Sequence, residues 1–307
     1  MTTIISIPRD VTHPGRRNIL GVSILCGALA MVLIALSVGV GSARAATATN
    51  CPDVMFIGAR GSGEPLLKKG SYVETESRGV GAPLAYMAGL LEEDVRGYGE
   101  EMQVFPVAYS ADSVDDLVPS KTELAEMALG GAATIYYERN YKPYAASIVG
   151  GVRQTIADIR STIDRCPEAE LVLAGYSQGA MAVHQAELQL EREGDEEALD
   201  AIGGTLLLGD GDRAPNTQAK LFGGAPRGGE GVQVYLHGFR AADVPEPETT
   251  AEICIKGDIV CDFGIHLSIS WYKHATYVHT HYTKDPGEKA VLSQAVAWLA
   301  EEMGLSE

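Results

Sequence analysis

Gly175-Tyr176-Ser177-Gln178-Gly179 constrains the fold of this chain more than any other stretch. It follows the apolar run Leu171-Val172-Leu173-Ala174 and precedes a helical pattern that begins at Ala180. A bare G-x-S-x-G recurs by chance, because its residues are small and common. Set between a strand and a helix, it becomes a sharp turn that lifts a serine oxygen above a sheet. The flanking glycines let the backbone turn tightly without side-chain collisions. Ser177 is therefore a candidate nucleophile, and the surrounding fold is expected to be α/β.

The rest of the chain alternates strand-like and helix-like patterns, which favours a mostly parallel sheet with helices on both faces. Val54-Met55-Phe56-Ile57 reads as the first buried strand, followed by the glycine-rich Gly58 to Glu64. Pro83 can open a helix with a core face of Leu84, Met87, Leu91 and Val95. Val104 to Tyr109 is the next strand, and Pro106 suggests an edge or a break there. Ile148, Val152, Ile156, Ile159 and Ile163 recur every three or four residues, as on an amphipathic helix. Gly204 to Leu208, Val232 to Leu236 and Ile253 to Ile255 are further strand candidates. The last helix starts with Asp285 as cap and Pro286 in its first turn, and buries Leu292, Ala295, Val296, Leu299 and Met303. Residues 110–143 fit this plan poorly and read as a lid or a surface insertion, with Tyr136, Tyr137, Tyr141 and Tyr144 clustered at its end.

Arg16 and Arg17, the apolar stretch from Ile19 to Val40 and Ser42-Ala43-Arg44-Ala45 make a secretory signal, with cleavage expected after Ala45. The stretch is also long enough for an uncleaved anchor. The protein is thus expected to be secreted and extracellular, released or tethered to the cell envelope. Residues 46–307 remain as a single domain, 262 of the 307 residues. Arg9, Arg16, Arg17, Arg44 and Asp10 carry +3 of the formal charge, so the mature chain moves from −17 to −20. Such acidity argues against nucleic acid as a partner. A monomer with at most transient contact at a lipid interface is the expectation.

Cys51, Cys166, Cys254 and Cys261 remain after export, and an even number there reads as two disulfides. Three pairings exist and sequence alone does not choose among them. The short loop between Cys254 and Cys261 favours joining these two, which leaves Cys51 to Cys166. A four-cysteine zinc site is disfavoured because no C-x-x-C occurs.

Ester hydrolysis needs a nucleophile, a base, a group that orients the base and donors for an oxyanion. In the order nucleophile, acid, base, the acid and histidine follow Ser177. Asp258 lies inside the Cys254–Cys261 loop, where a disulfide would hold a carboxylate rigidly. His184 falls two helical turns past the serine and points away from it, and His237 precedes the acid. His279 is preferred as base because it lies just before the last helix, where a loop can return over the sheet. His281 is the substitute and His266 the third choice. Metal binding by His279-x-His281 lacks an acidic cluster to complete it. The N–H of Gln178 and a donor from Arg60-Gly61-Ser62-Gly63-Glu64, with Ser62 foremost, would bind the oxyanion. No cofactor is required.

These residues resemble the cutinase family, especially its exported actinobacterial members. The likeness rests on Cys51-Pro52-Asp53-Val54, Ala59-Arg60-Gly61-Ser62-Gly63-Glu64, Cys166-Pro167 before Gly175 to Gly179, and Gly257-Asp258 within Cys254 to Cys261. Ser62 lies 11 positions after Cys51 and Ser177 lies 11 after Cys166, as in that family. The resemblance implies an α/β-hydrolase-type fold, with Ser177 as nucleophile, Asp258 as acid, and Ser62 with Gln178 as oxyanion donors. The family's H-x-x-Y matches His279 to Tyr282 and supports His279, and the disulfide pairing agrees. Residues 110–143 and the stretch of 21 residues from Asp258 to His279 are longer than in compact fungal members. The implied activity is a serine carboxylesterase acting on short to medium acyl esters, lipids or aliphatic polyesters. The alternatives are deacetylation of a polysaccharide such as acetylxylan, or a non-catalytic surface or carbohydrate-binding protein.

Overall fold

A computed structural model describes residues 51–65, 77–114, 139, 141–234, 241–264 and 268–305. The leader expected over 1–45, most of the insertion expected over 110–143, His237 and His266 lie outside the described residues.

Six strands form one sheet: β1 (Val54–Ala59), β2 (Met102–Pro106), β3 (Glu170–Tyr176), β4 (Ile202–Leu208), β5 (Lys220–Phe222) and β6 (Thr250–Ile253). Their order is β2-β1-β3-β4-β6-β5, and every pairing between neighbours is parallel. Alternation along each strand sends residues to opposite faces. Met55, Ile57, Leu171 and Leu173 enter one core, whereas Val54, Phe56, Val172 and Ala174 enter the other. Both faces are covered, which explains why these strands are apolar throughout instead of alternating with polar residues.

Four long helices supply the cover. α1 (Ala82–Gly97) and α6 (Pro286–Glu302) pack Leu84, Met87, Leu91 and Val95 with Leu292, Ala295, Val296 and Leu299 on one face. On the other lie α2 (Lys142–Arg165), through Ile148, Val152, Ile156 and Ile159, and α3 (Gln178–Glu193). A short helix α4 (Glu196–Asp200) precedes β4. The Asp285 carboxylate caps α6 by accepting the N–H groups of Gly287 and Glu288. Two disulfides, Cys51–Cys166 and Cys254–Cys261, staple this three-layer α/β fold.

Two local expectations are corrected, and one strand is unanticipated. Val232 to Val234 form no strand, because the Val232 and Gln233 N–H groups donate to Val260 and Gly211 in neighbouring loops. β5 has only three residues, too few for a periodic signal, and occupies a sheet edge. The segment around His279 is a helix, α5 (Ile269–Thr280), and not a loop. Its Trp, Tyr, Thr and Val residues favour helix weakly, but Ser268 caps it and Ala275, Val278 and His279 anchor one side. Among the described residues, no helix is long and apolar enough to cross a membrane.

Candidate active site

Ser177 joins β3 to α3 with φ 56° and ψ −117°, a backbone conformation that costs energy for any residue with a Cβ. The surroundings hold it there. The Ser177 N–H donates to the Leu208 carbonyl at 2.8 Å, and its own carbonyl accepts the Met181 N–H at 3.1 Å. Gly175 and Gly179 are required by close approach. A Cβ on Gly175 would lie 2.4 Å from Ala180 Cα, and one on Gly179 would lie 1.9 Å from the Ala59 carbonyl oxygen.

Asp258 is fully buried in the stapled loop between Cys254 and Cys261. Its Oδ1 accepts the Val260 N–H at 2.6 Å and the Cys261 N–H at 3.2 Å. Its Oδ2 accepts the Tyr282 hydroxyl at 2.7 Å. Burial pushes this carboxyl up. The charge and hydrogen bond of His279, with the Val260 N–H and the Tyr282 hydroxyl, outweigh burial and hold it below the ordinary carboxylate range.

The structure brings His279 between these two residues, from the last turn of α5. Nδ1 lies 2.9 Å from Asp258 Oδ2, and Nε2 lies 2.9 Å from Ser177 Oγ. With Asp258 ionised, Nδ1 carries the proton and Nε2 is free to accept that of Ser177. Tyr176 stacks on the imidazole at 5.3 Å between centroids and donates its hydroxyl to the His279 carbonyl at 2.7 Å. Gly209 leaves room for the ring, since a Cβ there would lie 3.0 Å from His279 Cε1. His281 is directed elsewhere: it stacks on Tyr277, whose carbonyl lies 2.9 Å from its Nδ1.

Gln178 follows Ser177 directly, and the turn that carries Ser62 packs at Gly61 against the Tyr176 ring. No backbone carbonyl of the described residues accepts the N–H of Ser62 or Gln178. The Ser62 hydroxyl is buried without a hydrogen-bond partner among the described residues, an orphan donor of the kind an oxyanion would satisfy. The Tyr144 phenol lies beside Ser62 and Gln178, close enough to feel both side chains, although Ser62 Oγ completes no bond with it. Burial pushes that phenol up to about 12, so it stays protonated. Gln178 is fixed from two sides: its Oε1 accepts the Ser147 hydroxyl at 3.2 Å, and its Nε2 donates to the Asp112 carbonyl at 3.5 Å.

Several supporting residues carry no local signal of their role. Glu64 closes the Ser62 turn by accepting the Gly61 N–H at 2.7 Å and the Ala82 N–H at 3.1 Å. Burial raises its pKa against those two bonds and the charge of Arg60. Arg60 ties the same turn to β2's exit, donating to the Tyr109 and Ser110 carbonyls at 2.5 and 3.1 Å. The glycine-rich Arg60 to Glu64 motif signalled the turn but not this bracing. Tyr282 was visible only as the last letter of H-x-x-Y.

The model of the family described as Cutinase matches residues 50–294. A cutinase of Monilinia fructicola is 28% identical over 156 residues, 48% of this chain and 60% of that protein. Cutinase cut1 of Trichoderma harzianum is 36% identical over 75 residues, 22% of this chain and 29% of its own length. The chain therefore spans less than two thirds of these sequence relatives. A cutinase-like protein from Cryptococcus sp. shares the fold at TM-score 0.53 and 23% identity, over 84% of this chain and 98% of that one. The catalytic core of acetyl xylan esterase from Trichoderma reesei does so at TM-score 0.51 and 18% identity, over 82% and 99%. With its sheet order, its two disulfides and a family match running from Cys51's neighbour into the last helix, the chain belongs to the cutinase family.

Proposed function

We propose that the protein is an exported serine carboxylic-ester hydrolase, using Ser177, His279 and Asp258 on short to medium acyl esters or aliphatic polyesters. The unbroken hydrogen-bonded chain from Ser177 Oγ through His279 to Asp258 carries this reading. Ser177 Oγ attacks the ester carbonyl as His279 Nε2 takes its proton. Asp258 holds the imidazole in the Nδ1–H tautomer and stabilises the imidazolium that forms. The carbonyl oxygen gains negative charge and is bound by the Gln178 N–H with the Ser62 N–H and hydroxyl. His279 then protonates the departing alkoxide, and a water repeats the sequence to release the acid. No step needs a cofactor. Purified Ser177→Ala protein is expected to lose at least about 10⁴-fold in turnover of p-nitrophenyl butyrate. Wild-type turnover in that variant would sink the assignment.

Export fits residues 1–45 as a cleaved leader, and N-terminal sequencing of the secreted protein is expected to begin after Ala45. A second substrate class has one observation in its favour. A cavity of about 560 Å³ adjoins the Ser62 turn and is lined by Glu64, Ser77, Tyr86, Thr283 and Lys289 among others. Pro65, Ala82 and Ala85 make the lining more apolar than polar, while Glu64, Ser77, Thr283 and Lys289 offer hydrogen bonds to sugar hydroxyls, as in an acylated polysaccharide. Acetate release from acetylated xylan, compared with butyrate release from tributyrin, separates the two classes.

A further inference from the structure

The nucleophile helix carries a second histidine that the ester chemistry does not use. His184, fully buried on α3, places Nδ1 2.7 Å from Asp210 Oδ2, and its Nε2 donates to the Ala242 carbonyl at 3.0 Å. Glu252, on β6 and 1% exposed, completes a set: one ligand atom from each of His184, Asp210 and Glu252 lies within 4.8 Å of the other two. Glu252 Oε2 has no hydrogen-bond partner among the described residues. Beside them, Glu187 is also buried, with Oε2 unpartnered among the described residues, while its Oε1 accepts the Thr205 hydroxyl. Asp212 adds a fourth buried carboxyl, bonded to Gln185 Nε2 at 3.1 Å. The nearby buried Arg213 directs its guanidinium to the Cys261 and Pro226 carbonyls instead.

Three carboxyl groups fully removed from water, with Asp212 at the edge of a cavity, surround one imidazole, and such groups do not remain ionised without compensating positive charge. Arg213 supplies part of it to Glu252, and protons or a bound cation must supply the rest. The geometry points to a cation: we propose that His184, Asp210 and Glu252 bind one divalent transition ion of the zinc class. The Ala242 carbonyl can only accept, so Nε2 keeps its proton and Nδ1 faces Asp210 as the ligand nitrogen. A metal-bound histidine commonly donates its other N–H to a backbone carbonyl in this way. One imidazole and two carboxylates match zinc or manganese better than calcium or magnesium. Tetrahedral ligands at zinc stand about 3.3 Å apart, so small side-chain rotations would close the set. Binding displaces the protons on Nδ1 and on the Glu252 carboxyl into solvent. The ion would cross-tie α3, the turn after β4, and β6, and has no part in ester cleavage.

The test uses purified protein stripped with EDTA and dialysed against Zn²⁺. Wild type is expected to retain one zinc per chain by elemental analysis and to melt at least about 5 °C higher, with no such rise in Mg²⁺ or Ca²⁺. Glu252→Gln keeps the side-chain volume and removes a buried acid; it is expected to bind Zn²⁺ at least 100-fold more weakly. His274→Asn, on an exposed face of α5, should bind as wild type does. Absence of stoichiometric zinc and of any melting shift in wild type would overturn the proposal, since protons and Arg213 would then balance the cluster. Undiminished binding by Glu252→Gln would overturn it too. Ser177→Ala should take up zinc like wild type, so the cation site and the esterase reading can fail separately.

Discussion

Tyr282 donates its hydroxyl to Asp258 Oδ2 at 2.7 Å, so the carboxylate facing His279 is gripped from behind by a buried phenol. The same oxygen of Tyr282 accepts the Ile255 N–H at 3.3 Å, from the strand exit that begins the stapled loop. The acid is thereby registered to the sheet as well as to the turn that carries it.

Tyr282→Phe removes this donor and leaves the Asp258 charge less dispersed. The bond is one of those that hold the Asp258 carboxyl below its ordinary range, so without it that carboxyl takes up its proton at higher pH. The acid limb of the kcat/KM profile is expected to move upward, with kcat reduced about 3- to 10-fold, and stability lowered by about 1.5–3 kcal/mol for a lost bond to a charged group. pH–rate profiles and urea unfolding of the two proteins check it. A stability loss with an unmoved profile would make Tyr282 structural only.

Ser62→Ala deletes a hydroxyl that has no hydrogen-bond partner among the described residues. Folding stability should hardly change, whereas kcat should fall about 10²-fold at nearly constant KM, the pattern of an interaction made only in the transition state. Steady-state kinetics on one ester suffice. A rise in KM with kcat intact would remove Ser62 from oxyanion binding.

Gly179→Ala would drive a Cβ into the Ala59 and Arg60 carbonyl oxygens, at 1.9 and 2.6 Å, and both are backbone atoms that cannot swing aside. The expected cost is about 3 kcal/mol or more, with β1 and α3 forced apart. Thermal unfolding or loss of soluble protein reads this directly. A variant as stable as wild type would show that the turn adjusts more freely than the geometry implies.

Asp258 has a folded pKa below its ordinary value, so its ionisation favours the native state. Its contribution is complete above the ordinary carboxylate range and is lost as pH falls through the lowered folded value. Asp258→Asn should therefore unfold with a shallower acid-side dependence than wild type, as measured by urea midpoints along a pH series. Identical slopes would mean that other carboxyls govern the acid limit.

Much of this architecture was legible locally. The Leu171 to Ala174 run, the two close-approach glycines and the isoleucine stripe of α2 each state their own environment in adjacent letters. The cysteine pair marked Asp258 as a constrained acid. His279 was reachable through its position before α6, but its helical setting was not, because α5 is rich in residues that favour helix weakly and is fixed by what it packs on. The Ser110–Ser147–Gln178 bracket was invisible, since its members lie on separate elements and meet only after the sheet assembles. His184 showed the same limit. Helical spacing turned it away from Ser177, yet Asp210 reaches it from the turn after β4 and Glu252 from within β6.

The Cys51–Cys166 bridge brings the approaches to β1 and β3 within 5.5 Å at their Cα atoms. The strands then run side by side from Val54 opposite Glu170 to Ala59 opposite Gly175. From this shared origin the chain travels 11 residues to Ser62 on one arm and 11 to Ser177 on the other. The bridge and the paired arms act as calipers whose tips are offset by one residue. Val54 lies 3 positions past its cysteine and its partner Glu170 lies 4 past the other, so the register carried forward sets Ser62 level with Gln178, the residue after the nucleophile. Lengthening either arm by one residue would reverse which face its later side chains meet and change the offset between the tips. Natural variation in length should therefore collect beyond the tips, where it reshapes what the jaws can grasp without disturbing how they close.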